Sequence, residues 1–73
     1  MATKARFEAE AQGRAGARAF IHSHQDWSIT DWRAIHYAEI DRMVGGRSLL
    51  QRAQMLGFVW VIGRHIDDLA AQS

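Results

Sequence analysis

Apolar and polar positions along the chain fall into three stretches with a helical rather than a strand period. The clearest begins at Ser28-Ile29-Thr30-Asp31, which has the form of a capping box: serine at the cap and a carboxylate three residues later. The positive end of the helix dipole also favours Asp31 there. Beyond it, Trp32, Ile35, His36, Ile40 and Met43 share one helical stripe, with Arg33, Asp41 and Arg42 outside it. Gly45-Gly46 is predicted to end this helix, because glycine takes the left-handed terminal conformation without steric cost.

A second box, Ser48-Leu49-Leu50-Gln51, opens the last stretch, which is predicted to run as a helix to about Ala71. Leu49, Ala53, Leu56 and Trp60 lie on one face, with Trp60 assigned to the core. Met55, Val59, Ile62, Ile66 and Leu69 lie on nearly the opposite face at heptad-like spacing. Between them Phe58 to Ile62 is apolar all round, and such a helix needs cover on two sides. The same five residues, bracketed by Gly57 and Gly63, also describe a short buried strand. No second convincing strand exists to pair with it, so helix is the preferred reading.

The first stretch, Thr3 to about His24, is rich in good helix formers. Its apolar pattern is poor, and Gly13 and Gly16 each cost about 1 kcal/mol relative to alanine inside a helix. The expectation is a helix only near Ala15 to His24, with residues 1–12 as a frayed helix or mobile arm. The fold expected is all-α: a small three-helix domain over 13–73, with two firm helices and a weaker N-terminal one.

Length sharpens this picture. A chain of 73 residues forms one domain, and a domain this small buries only about 60% of its unfolded surface. Disulfides, a metal or a partner chain usually make up the difference. With no cysteine, disulfides and thiolate metal sites are excluded, and a partner becomes the leading source of stabilisation. The reading is therefore a homodimer, or a complex with a foreign protein, formed through the outer face of the third helix.

The first eleven residues carry Glu8 and Glu10 and no apolar core, unlike a signal peptide. The longest apolar run is far shorter than a membrane-spanning helix needs. A cytoplasmic location without membrane contact is expected. Net charge is +1, which gives no general support for nucleic-acid binding. Arginine supplies eight of the nine basic residues, a usage that suggests a GC-rich source such as a bacterium or phage.

Several motifs compete for the function. Ala53, Leu56-Gly57 and Phe58 have the spacing of the first helix and turn of a helix-turn-helix. A recognition helix should then present polar side chains to base edges, yet Val59 to Ile62 offer little beyond the Trp60 indole. Lys4, Arg6, Arg14, Arg18, Arg64 and His65 are the residues that would contact nucleic acid. His22, His24, Asp26 and His36 fail as a metal site, because residues two apart do not share a helix face. No catalytic constellation, cofactor motif or small-molecule site is visible.

Aromatic residues are plentiful, and tryptophan, tyrosine and arginine dominate binding hot spots. Trp32 is expected in the core, and Trp27 either staples onto it or is exposed. The expected partner interface comprises Trp27, Tyr37, Met55, Phe58, Val59, Ile62, Ile66 and Leu69. The function expected is a non-enzymatic protein-binding module: an inhibitor or regulator, phage- or mobile-element-like, acting on a larger transcription or defence machine. The alternative is a dimeric helix-turn-helix repressor using Gln51 to His65.

Overall fold

A computed structural model describes residues 2–72, which form three α-helices and, among the described residues, no strand: α1 (Ala2–Ser23), α2 (Ile29–Val44) and α3 (Leu49–Gln72). Met1 of the expected arm and Ser73 lie outside the described residues. The all-α expectation holds, and Phe58 to Ile62 is helical rather than extended.

Both capping boxes form. The Asp31 amide donates to the Ser28 hydroxyl at 3.3 Å, and the Ser28 amide donates to the Asp31 carboxylate at 3.0 Å. At the head of α3 the Gln51 amide donates to the Ser48 hydroxyl at 3.2 Å, and the Ser48 amide to Gln51 Oε1 at 3.0 Å. Each box satisfies two backbone donors that the first turn would otherwise leave free.

The end of α2 lies where expected but is made differently. Gly45 is extended, with φ −68° and ψ 163°, and no described glycine has positive φ. The Gly45 amide donates to the Arg42 carbonyl at 3.3 Å, and Arg47 Nε reaches the same oxygen at 3.4 Å. The Gly45 amide and the Arg47 side chain together thus do the work expected of a left-handed cap.

The largest correction concerns α1, which runs unbroken through Gly13 and Gly16 from Ala2. Ala9, Gly13 and Ala17, each four residues apart, are buried, as are Ala53, Gly57 and Val61 on α3. Two faces of small residues at this spacing let helices approach main chain to main chain. A Cβ at Gly13 would run into the Gln54 carbonyl, and one at Gly57 into the Glu10 carbonyl. The propensity cost of Gly13 is therefore offset by tertiary packing, which a count of local preferences does not see.

Helix α3 packs against both other helices, more extensively against α1. Arg6 and Glu10 share a groove with Leu49 and Arg52, while Arg18 and Ile21 share one with Arg64 and His65, so α1 and α3 run parallel. Helix α2 returns antiparallel: Trp32 meets His65 edge-on at 4.9 Å, and Tyr37 and Ile40 sit beside Trp60.

The core lies where the end of α1, the start of α2 and the C-terminal half of α3 converge. Ala17, Trp32, Val61, Ile62 and Ile66 are buried there, flanked by half-buried Phe20, Trp27, Phe58 and Leu69. Phe20 is the hub, with ring centroids 5.4 Å from Trp27, 5.8 Å from Trp32 and 5.9 Å from Phe58, all near edge-on. Such geometry sets a ring's positive edge against its neighbour's negative face. Trp27, just before the cap, lies 5.0 Å from Trp32 in the first turn of α2, a hydrophobic staple.

Candidate binding face

With α1 on one side and α2 on the other, one flank of α3 stays open. Leu49, Leu56 and Trp60 project from it, and Trp60, assigned to the core from the sequence, is 55% exposed. The reason is geometric: α1 docks on the small residues Ala53, Gly57 and Val61, which turns the neighbouring bulky stripe outward. Seven- and four-residue steps from Leu49 to Leu56 to Trp60 were the available signal, beside a row of small residues that marked where a helix comes close.

Trp60 stands between two helices. On the α2 side an open groove of about 520 Å³ is walled by Arg33, Tyr37 and Ile40 against Trp60 and Arg64. Its floor is at Gly63, where an added Cβ would come within 3.3 Å of His36 Nε2. On the α1 side Arg14 and Arg18 flank Trp60 together with Glu10 and Leu56. The Arg64 guanidinium lies 5.2 Å from the centre of the indole ring, a cation–π contact. Tyr37 is 69% exposed and Leu56 46%.

The residues expected at a partner interface divide. Tyr37 and Val59 line the Trp60 groove. Met55 and Phe58 border a separate hollow of about 220 Å³ beside Gly13 and Gly16. Trp27, Phe58 and Leu69 are half-buried against the core, and Ile62 and Ile66 belong to it, Ile62 with no exposure at all. The face of α3 expected to await a partner is thus largely covered by the chain's own α1 and α2.

Among the expected nucleic-acid contacts, Arg14, Arg18, Arg64 and His65 gather around Trp60, Arg6 lies farther along near Leu56, and Lys4 is exposed elsewhere on α1. The helix-turn-helix spacing places a chain reversal at Gly57. Helix α3 continues through Gly57 without a turn, because Gly57 is the contact point for α1 rather than a chain reversal.

No set of three or more potential metal-ligating side chains comes together among the described residues. His24 Nδ1 instead lies 2.8 Å from the Phe20 carbonyl, and His22 Nδ1 3.2 Å from Gln25 Nε2, both at the end of α1. The His24 contact is the one an imidazole makes with a free carbonyl at a helix C-terminus, whereas His22 meets a side-chain amide.

The fold defines a small three-helix, all-α domain, and none of the described helices is long and apolar enough to cross a membrane. In comparison with known proteins, no family model matches the chain, and neither a curated protein nor a solved structure shows significant similarity to it.

Proposed function

We propose that this chain is a non-enzymatic protein-binding module that regulates a larger assembly by covering part of its surface. The observation that carries the reading is Trp60: a large aromatic side chain left more than half exposed, capped by Arg64 and bordered by Tyr37 and Ile40. Tryptophan, tyrosine and arginine are the residues most enriched at binding hot spots. Leaving an indole in water forgoes roughly 2–3 kcal/mol of burial, so its exposure is consistent with cover by a partner.

Affinity capture from the native cells, with wild type and Trp60→Ala side by side, tests this. A partner retained by the wild type and lost from the variant is the expected result. Identical captured sets would sink the proposal, given a variant that remains folded. If the partner is a second copy, light scattering will show a dimer at high micromolar concentration, and a clean monomer assigns the face to a foreign target.

A nucleic-acid reading draws on the gathering of Arg14, Arg18 and Arg64 around an exposed indole, since bases stack on such rings. Against it, Ile40, Leu49 and Leu56 make much of the same face aliphatic, and such side chains offer bases no aromatic stacking platform. Binding that weakens steeply as salt rises would favour this second reading.

A further inference from the structure

The grooves that meet on Trp60 and Leu56 divide the chain's charge unevenly. Six arginines border them: Arg6, Arg14, Arg18, Arg33, Arg52 and Arg64. Only three carboxylates do so, Glu10, Asp67 and Asp68, which leaves this face at +3; the α2–α3 groove itself holds Arg33, Arg64 and Asp67, and the remaining arginines lie on its α1 side. The rest of the chain then carries three basic and five acidic side chains, a balance of −2 within the total of +1. Among the described residues the ion pair present, Arg42 to Glu39 at 2.8 Å, involves none of the six arginines.

Shape adds to charge. Arg33, Tyr37 and Ile40 on α2 face Trp60, Gly63, Arg64 and Asp67 on α3, so both walls of the groove repeat once per helical turn. Ridges at that period accept the side chains of a third helix. The apolar centre and the cationic rim call for a ligand that is apolar along one stripe and acidic beside it.

We infer that the groove between α2 and α3 receives an acidic amphipathic helix of a foreign protein. Its apolar stripe rests on Trp60, Tyr37 and Ile40, and its carboxylates meet the forked guanidinium donors of Arg33 and Arg64. This rests on the protein-binding reading above and names the chemistry of the partner. Arginine fits the role because its planar fork pairs with carboxylates in two parallel hydrogen bonds. A second copy fits less well, since it would set one +3 face against another.

The test is selection of a displayed library of random peptides on the immobilised full chain, with single-stranded oligothymidylate as competitor. Enriched sequences are expected to carry apolar residues at i, i+3 or i+4 and i+7 with Asp or Glu between them. Trp60→Ala should weaken them at least about tenfold. The double variant Arg33→Gln, Arg64→Gln should weaken them by about tenfold and flatten the salt dependence. Basic or neutral sequences that bind through Trp60 would overturn the acidic assignment while leaving protein binding intact. Enrichment that ignores Trp60→Ala, no enrichment at all, or displacement by oligothymidylate at lower concentration than the peptides would overturn the site itself.

Discussion

Gly57 of α3 lies against the backbone carbonyl of Glu10 on α1, so that the two helices meet with no side chain between them. Substitution there is expected to push main chain against main chain, which a rotamer change cannot relieve. Gly57→Ala gains about 1 kcal/mol of helix propensity yet should lose more to overpacking, typically about 1–3 kcal/mol and higher where backbone is the obstacle. Gly13→Ala should behave alike. Gly16, with open space around it, is the control: Gly16→Ala should stabilise by about 0.5–1 kcal/mol. Thermal unfolding of the three variants checks the set, and similar melting temperatures for Gly16→Ala and Gly57→Ala would contradict this account of the crossing.

The two tryptophans assigned to the core from the sequence should part company on truncation. Trp32 is fully buried among Phe20, Trp27 and His65, and Trp32→Ala should cost about 3–5 kcal/mol. In so small a domain that removes most of the stability. Trp60→Ala, which removes a side chain only about half buried, should cost clearly less, about 1–2 kcal/mol. Urea unfolding measures both, and comparable losses would mean that Trp60 belongs to the fold rather than to a binding face.

Caps at the heads of α2 and α3 act on separate helices, so their effects should add. Ser28→Ala and Ser48→Ala are each expected to cost about 1 kcal/mol, and the double variant about the sum. A chemical-denaturation cycle will show this. Strong coupling between the two would indicate that α2 and α3 share a capping interaction.

Gly63 forms the groove floor over His36. Gly63→Ala should leave stability within about 1 kcal/mol of wild type, since improved helix propensity offsets a tight but movable contact with an imidazole. It should still weaken any ligand seated between Trp60 and Tyr37, because the added methyl fills the floor. Titration of a selected peptide against this variant is the measurement, and unchanged affinity would place the ligand elsewhere.

Legibility in the sequence followed the range of the interaction. Both capping boxes, the stripe through Trp32 and the stop at Gly45 are local, and each was readable within a few residues. The α1–α3 crossing was not. Gly13 reads as a helix weakener until Gly57 is placed against the same helix, and nothing adjacent to Gly13 announces it. The same gap misplaced Trp60. Its stripe was seen, but which of two apolar faces meets the chain's own helices depends on where α1 docks. Ala9, Gly13 and Ala17 settle that in favour of the small-residue side.

The parallel alignment of α1 and α3 also constrains how the chain can reach its native state. Neighbouring antiparallel helices join through short loops and can form early, but α1 meets α3 only after the intervening segment has been gathered in. Contacts between distant parts of the chain slow folding relative to a bundle of sequence neighbours. The α2–α3 hairpin is therefore expected to form first, with α1 docking last through its glycine crossing. A partly folded chain would then present the Gly57 side of α3 until α1 docks on it.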